Sequence, residues 1–507
     1  NSTGGSINLA DLDFSATNGS LSVRAQQLVT GNITQTLGSG LNLGSGFLTL
    51  RADNNVVLRD VTAGGFSVSQ ANNQVFSPVA SNGSCETIGS GFVCAPYSVT
   101  MGNITDPTGA GSFSATARHG ITAGNLAVGN LNFTTYTGTV NTGTIGTAMA
   151  PAGSVVISAD NYTTYAGGNI VTGAVEANSV SMTTLNGNIQ TGAINAVNTV
   201  ASSVQLAANS GNVTVTGTVD ASYIELRASG SGATGNVTVG NLNPDAATTG
   251  PGTVNLYADT SIAAGTIDAD QITAAGWSCC PTFPSITAGA IGGRRPGNYL
   301  YVSGSDVTLG ALTLDGTGVG QTLEVRGTNN VTVTGNVGMG LGGDMFNPAR
   351  LDAGNLLTFN GGNGVFAATD GSAVLLHAGN ALTATPFAFR RVDAGATGWV
   401  TIDAPAGIRQ TLEAAGGGGI RAGTVILKAT AGGSSIDTQE GTNPITTLTL
   451  RETADLTIDS GGDLRIQLTG ASGAPELHNL DITRARNDGA YVLNDGAHGP
   501  NDLNATQ

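Results

Sequence analysis

Four cysteines are the residues of this chain whose spacing is most informative about chemistry. Cys85 and Cys94 are separated by eight residues, which include two glycines. This spacing allows a loop closed by a disulfide, and a disulfide would indicate an oxidising compartment. Cys279 and Cys280 are adjacent, so a bond between them needs a strained ring, and they are either a redox-labile pair or two free thiols. Neither pair has a histidine at metal-site spacing, and we expect no metal or cofactor site.

Acidic and basic side chains are the other candidates for chemistry. Asp268 and Asp270 alternate, so both carboxylates are expected on one side of a strand. Hydrolases need paired carboxylates, and calcium-dependent lyases need several carboxylates with a cationic base. The chain has one lysine, Lys428, and its adjacent arginines are Arg294-Arg295 and Arg390-Arg391. We therefore predict that it is not an enzyme, with a β-helical carbohydrate-active enzyme as an alternative.

The overall charge excludes several classes of partner. The formal net charge is −16 and only 10% of residues are charged. Nucleic-acid binding rests on clustered lysine and arginine, so no nucleic-acid partner is expected.

No apolar run is long enough to span a membrane as a helix. The sequence begins at Asn1 without a signal-peptide pattern, and we expect a mature or excised segment.

A short motif of the form Ile/Val-x-x-Gly-x-Val/Ile/Leu recurs through the middle of the chain. Its glycines are spaced by about 23 residues on average. A period of this size is typical of a solenoid, in which each repeat forms one coil. The motif is centred on Gly173, Gly192, Gly217, Gly240, Gly265, Gly289, Gly310 and Gly335.

Alternating apolar pairs between these glycines predict the strands of each coil. Val204-x-Leu206 is an example, with side chains that point alternately inward and outward. Residues 186–188 and 209–212 are rich in Asn and Gly, and we interpret them as corners with left-handed backbone conformations. The sequence therefore predicts an all-β fold, a right-handed parallel β-helix (solenoid) with coils of about 23 residues.

We expect residues 1–507 to form a single elongated β-helix with two interruptions. Residues 70–112 contain the predicted cysteine loop and several prolines, and residues 338–420 are irregular. Insertions in solenoids map to the corners of the coil. We therefore interpret both stretches as loop-rich excursions.

The segment from Trp277 to Pro284 is the first candidate for contact with a partner. It combines aromatic and cysteine residues in a chain that is only 5% aromatic. The interval from Gly265 to Gly289 has the usual repeat length with this segment included, so an exposed loop at a corner is expected. The candidate interaction residues are Trp277, Cys279, Cys280 and Phe283.

Repeat units such as Leu206–Ala221 resemble those of the filamentous-haemagglutinin-like exoproteins of Gram-negative bacteria. The resemblance is strongest over residues 150–340 and concerns the style of the repeat. It implies a secreted or cell-surface rod that is exported through an outer-membrane pore partner by two-partner secretion. It also implies adhesion to a host or neighbouring-cell receptor or glycan, or a role as a structural stalk. The family's Asn-Pro-Asn-Gly secretion motif is absent, so the segment lies downstream of that domain or leaves the cell by another route.

The ends of the sequence suggest a further alternative. Neither Asn1–Leu9 nor Asn494–Gln507 resembles an amphipathic capping helix. An uncapped solenoid end exposes unpaired backbone groups and promotes end-to-end association. We expect either a longer parent rod, which we favour, or the subunit of a head-to-tail extracellular fibre.

Overall fold

The computed structural model divides the chain into two compact units, Asn1–Ala264 and Gly265–Gln507. The described residues contain no α-helix and have one turn of 3₁₀ helix, Asn360–Gly362. The predicted all-β fold is confirmed. The structure describes residues 5–10, 12–14, 16, 18–25, 31–35, 38, 40–69, 85–88, 91–159, 168–196, 202–229, 234–244, 252–276, 283–293, 297–314, 321–340, 348–380, 385–411, 418–438, 448–462, 464–469, 478–484 and 492–494.

The first unit consists of coils whose short strands stack in parallel on three faces. Each strand pairs with its counterpart in the next coil, as Val213 pairs with Val237. The first face contains Ile7–Asn8, Ile33–Thr34, Val56–Val57, Ser98–Thr100, Gly120–Ala123, Thr139–Thr142, Ile170–Val171, Ile189–Thr191, Val213–Val215, Asn236–Val239 and Ser261–Ala264. The short face contains Leu12–Asp13, Gly40–Asn42, Asp60–Thr62, Ile104–Thr105, Leu126–Ala127, Ile194–Asn195, Val219–Asp220 and the start of Val175–Thr184. The long face contains Leu21–Ala25, Phe47–Ala52, Gly65–Ser69, Ser112–Ala117, Asn130–Thr135, Ala152–Ala159, the rest of Val175–Thr184, Ser203–Ala208, Tyr223–Ala228 and Thr253–Ala258.

The second unit repeats this arrangement. Its first face contains Ser285–Ala288, Val307–Leu309, Val331–Val333 and Leu357–Phe359, and a separate parallel sheet contains Phe387–Phe389, Ile408–Gln410 and Ile436–Thr438. Its short face contains Ile267–Asp268, Ile291–Gly293, Leu312–Leu314, Val337–Met339, Val365–Ala368, Leu448–Arg451, Arg465–Thr469 and Val492–Asn494. Its long face contains Gln271–Ala275, Tyr299–Gly304, Thr322–Gly327, Ala349–Ala353, Ala373–Ala378, Asp455–Ser460 and Asn479–Arg484. Arg391–Asp403 and Gly419–Ala429 pair on both the short and the long face.

The core of the coils is a narrow column of apolar side chains, mainly aliphatic, with completely buried phenylalanines such as Phe133 and Phe366. Leu206, Val213 and Leu226 are almost completely buried. Each lies in a different strand, and the residues next to it in that strand face outward. Parallel strands stacked in order on several faces form a parallel β-helix, as the repeat predicts. The right-handed sense of the coil stays a prediction.

The repeated glycines are required by close approach between coils. A Cβ at Gly310 would lie 2.6 Å from the backbone nitrogen of Ala290 in the preceding coil. At Gly211, within the predicted corner 209–212, a Cβ would lie 2.1 Å from the carbonyl oxygen of Gly187. Residues 186–188 and 209–212 do not have positive φ angles. The predicted left-handed corners are therefore wrong, and stacking of backbone on backbone explains the glycines instead.

The asparagines at these corners form a ladder between successive coils. In three successive coils, an asparagine at or just before a first-face strand donates its backbone N–H to an asparagine side-chain oxygen one coil earlier. Asn188 donates to Asn169 Oδ1 at 2.8 Å, Asn212 to Asn188 Oδ1 at 2.8 Å and Asn236 to Asn212 Oδ1 at 3.0 Å. The partners are 19, 24 and 24 residues apart. Each bond satisfies a polar group that the tight corner leaves without a strand partner.

Candidate functional site

A group of oxygen-bearing side chains lies at the corner where the short face of the first unit turns into the long face. Glu176 pairs in register with Asn195, and Asn195 pairs with Asp220. Their outward side chains therefore form one column with a strand spacing of about 4.8 Å. Asn178 follows two positions after Glu176 in the strand Val175–Thr184. We call these four residues the acceptor corner.

The acceptor corner contains four buried oxygens that receive no hydrogen bond. They are Glu176 Oε2, Asn178 Oδ1, Asn195 Oδ1 and Asp220 Oδ1, and each has less than 1 Å² of accessible surface. Asn178 and Ser179 are consecutive half-buried residues within an otherwise alternating pattern, at the point where the strand passes from the short face to the long face. Oxygens removed from water without a donor are energetically unfavourable. Two of them belong to carboxylates, so the corner also concentrates negative charge.

The same position of the coil in the second unit contains a carboxylate with arginine partners. Asp393 is 7% exposed and forms an ion pair with Arg391. Arg421 lies 3.7 Å from Asp393 Oδ1 through its Nη1 atom, and its Nε donates to Glu452 Oε2 at 2.8 Å. The hydrogen bond to Glu452, with smaller contributions from nearby carboxylates, raises the pKa of Arg421. The chain therefore balances this carboxylate with its own cations.

Asp370 is an exposed carboxylate beside that network. Thr397 donates its backbone N–H to Asp370 Oδ1 at 2.8 Å and its hydroxyl at 3.1 Å. These hydrogen bonds, the backbone bond above all, lower the pKa of Asp370 below its ordinary value of 3.8. Asp370 therefore links ionisation to the fold of this corner.

A tyrosine-containing patch occupies the outward side of the long face in the first unit. The Tyr223 hydroxyl donates to Glu225 Oε2 at 2.6 Å, and Asn255 Nδ2 donates to the Tyr223 oxygen at 3.3 Å. Arg227 Nη2 donates to Asn209 Oδ1 at 2.6 Å. Partial burial, followed by the hydrogen bond to Glu225, raises the pKa of Tyr223. An aromatic ring held by polar neighbours is a suitable contact surface for a partner.

Charges alternate along one outward column of the long face in the second unit. Successive coils present a basic and then an acidic residue, so each residue between the first and last members of the column pairs in register with residues of the opposite type. Lys428, the single lysine, pairs in register with Asp403 and Asp459. Exposed pairs of this kind add little stability. The members are Arg326, Asp352, His377, Asp403, Lys428 and Asp459.

The structure places only part of the predicted cysteine and loop residues. Cys85–Ile88 and Gly91–Cys94 form an antiparallel hairpin in which Cys85 lies opposite Cys94. Their side chains are outside the described residues, so the disulfide stays a prediction. Trp277, Cys279 and Cys280 of the candidate loop also lie outside the described residues. Phe283 at its end is 49% exposed.

The predicted acidic pair on one strand is wrong. Asp268 ends the strand Ile267–Asp268, whereas Asp270 lies beyond it at the corner and is 2% exposed. The chain turns between them, so the strand alternation does not continue to Asp270.

Sequence reasoning missed the acceptor corner, although a signal was present. Glu176, Asn195 and Asp220 each stand three positions after a repeated glycine, namely Gly173, Gly192 and Gly217. Aligning the coils on their glycines would have placed these residues in one column.

Comparison with protein-family models, with curated proteins and with solved structures finds no match. Within the described part of the chain, no helix has the length and hydropathy needed to cross a membrane. The same residues contain no group of three or more His, Cys, Asp and Glu side chains placed to hold a metal ion. The acceptor corner differs from such a group because half of its oxygens belong to amides.

Proposed function

We propose that this chain is a secreted, non-enzymatic surface protein of the filamentous-haemagglutinin kind, which acts in adhesion or as a structural stalk. The observation that supports this proposal most is that asparagine side chains form hydrogen bonds between neighbouring coils. Asn188, Asn212 and Asn236 bind their own counterparts in neighbouring coils. These polar groups thus hold the stack together and leave long outward faces available for contact.

The proposed partners follow from the same resemblance. Export would use an outer-membrane pore partner of a Gram-negative bacterium, and the exported chain would bind a host or neighbouring-cell receptor or glycan. The loop with Trp277, Cys279, Cys280 and Phe283 is the proposed contact, and the exposure of Phe283 supports it. Large exposed aromatic side chains are enriched at the centres of protein interfaces.

Binding of the purified chain to host cells and to a glycan array tests adhesion. We expect saturable binding that the double variant Trp277→Ser, Phe283→Ser reduces at least about tenfold, since such anchors dominate interfaces. The variant Met149→Ser is the control, because Met149 is 98% exposed and lies away from this loop in sequence. Absence of binding to any surface would contradict adhesion, and equal binding by the double variant would contradict the loop.

The oxidising compartment is tested by the state of Cys85 and Cys94. We expect peptide mass spectrometry without reduction to recover these residues as one linked species. The hairpin register supports this expectation, because cross-strand partners lie within disulfide reach. Two alkylatable thiols would remove the disulfide and weaken the proposal of secretion.

End-to-end self-association stays a prediction. Sedimentation of the 507-residue chain at increasing concentration would detect it. Filaments in the pellet would favour the fibre subunit, and a concentration-independent monomer would favour the stalk.

A further inference from the structure

The acceptor corner combines carboxylate and amide oxygens, and among the described residues no ion pair or hydrogen bond balances the four buried oxygens. Glu176 and Asp220 contribute two carboxyl groups. Asn178 and Asn195 add amide carbonyl oxygens. These are not protonated at ordinary pH, so they still require a hydrogen-bond donor or a cation. All four oxygens are buried without a donor. A positive group beside these oxygens would supply the missing counter-charge.

We propose that the acceptor corner binds a hard divalent cation, with Ca²⁺ as the best fit. Oxygen-only ligand sets favour Ca²⁺ and Mg²⁺ over transition metals, which prefer nitrogen or sulfur. Ca²⁺ accepts irregular coordination by carboxylates, amide carbonyls and water, whereas Mg²⁺ demands near-octahedral geometry. A column on stacked strands is an irregular ligand set, so it suits Ca²⁺.

The register indicates where the ion sits. Asn195 occupies the coil between Glu176 and Asp220. An ion at Asn195 Oδ1 is thus one strand spacing, about 4.8 Å, from the strand of each carboxylate. Water completes the coordination, since the oxygens of the three residues in the column fall short of the six to eight that Ca²⁺ takes. Two carboxylates on partly exposed residues predict a dissociation constant of about 10⁻⁴ to 10⁻³ M, typical of extracellular calcium modules.

A simpler arrangement competes with this proposal. If the Asn195 amide were turned over, its Nδ2 could donate to one of the carboxylates, and no ion would be needed. The two arrangements predict opposite effects when a charge is removed without calcium. Loss of a carboxylate relieves repulsion in an empty cation site, but it removes an acceptor from an amide–carboxylate hydrogen bond.

Calorimetric titration of the chelator-treated full chain with CaCl₂ tests the site. We expect one saturable site in the wild type and at least about tenfold weaker binding in Glu176→Gln and in Asp220→Asn, because each loses one charged ligand. Asp352→Asn is the matched control: it removes a carboxylate that Arg350 already balances and should leave calcium binding unchanged. Absence of saturable binding at about 10 mM, an order above the expected range, would overturn the proposal. Unchanged affinity in both corner variants would do the same.

Thermal melting in chelator gives a second, independent readout. We expect Glu176→Gln and Asp220→Asn to melt no lower than the wild type without calcium, and only the wild type to gain stability when calcium is added. Lower melting of both variants in chelator would establish the amide arrangement and overturn the cation site. This inference does not depend on the proposed function in adhesion.

Discussion

The two units place carboxylates at the same position of the coil and balance them differently. In the second unit Asp393 lies between Arg391 and Arg421, which belong to its own strand and to the next strand. In the first unit Glu176 and Asp220 lie in a column with Asn195, which carries no charge. The strand that contains Asp393 has a register shift between Asp393 and Gly395, whereas the pairings of Glu176 with Asn195 and of Asn195 with Asp220 have none. The two places therefore differ in the counter-charge that the described residues supply, and in the first unit we propose that a cation from solution supplies it.

The inner side of the coil does not share this difference. Both units fill it with apolar side chains, most of them aliphatic. Val213 in the first unit and Val331 in the second are completely buried on equivalent faces. We therefore expect core substitutions to affect the stability of the two units alike, and outward substitutions to affect it differently.

The largest expected effect comes from a charge placed in this core. Val213→Asp and Val331→Asp should each lower the free energy of unfolding by about 3–5 kcal/mol, because an unpaired carboxylate enters an apolar interior. Chemical denaturation measures the change. Thr214→Asp and Thr332→Asp are the controls, since these neighbours face outward. Wild-type stability of either core variant would show that the inward assignment of its strand is wrong.

A smaller effect is expected when the second unit loses a cation. Arg421→Met leaves Glu452 without its hydrogen-bond donor and Asp393 with Arg391 alone. We expect a loss of about 1–2 kcal/mol, less than for a fully buried pair because Arg421 is 39% exposed. Denaturation of this variant beside Arg326→Met, which removes a more exposed pair, measures the difference. Equal effects of the two variants would mean that Asp393 does not need a balancing charge.

Placing a cation in the acceptor corner should have a similar or smaller effect on stability. Asn195→Lys places an ammonium group between Glu176 and Asp220. In chelator we expect stabilisation by about 0.5–1 kcal/mol, and we expect the response of the melting temperature to calcium to disappear. A destabilised variant that still responds to calcium would show that the column does not act as one site.

The smallest effect concerns pH. The folded pKa of Asp370 lies below the ordinary value of 3.8, so its contribution to stability is complete above that value. The contribution is lost as the pH falls through the lower folded pKa. Asp370→Asn should therefore flatten the acid limb of the stability profile of the second unit. An unchanged acid limb in the variant would indicate that the bonds from Thr397 do not persist in solution.

The repeat and the strands could be predicted because they depend on local patterns. Alternation in Val213-Thr-Val215 and the glycine at 217 are visible within one coil. The reason for the Asn corners was not visible in the same way. The backbone N–H of Asn212 donates to the side chain of Asn188, which lies 24 residues earlier in the preceding coil. A pattern within one coil does not reveal that bond.

The acceptor corner could be predicted from the sequence only in part. Its residues follow the repeated glycines at a constant interval, so their alignment was predictable from the sequence. The burial of their oxygens could not be predicted, because it depends on packing where the short face meets the long face. The acidic pair at Asp268 and Asp270 failed for the related reason that the chain turns between the two residues.

Hydrogen exchange with and without calcium, followed by mass spectrometry, tests the difference between the two corners most directly. We predict that calcium slows exchange in Val175–Thr184, Ile194–Asn195 and Val219–Asp220, because the ion ties these strands together. Exchange in Arg391–Asp403, where arginines already supply the charge, should not change. Equal slowing in both regions, or no change in either, would contradict the proposed division between a corner balanced by its own chain and one balanced from solution.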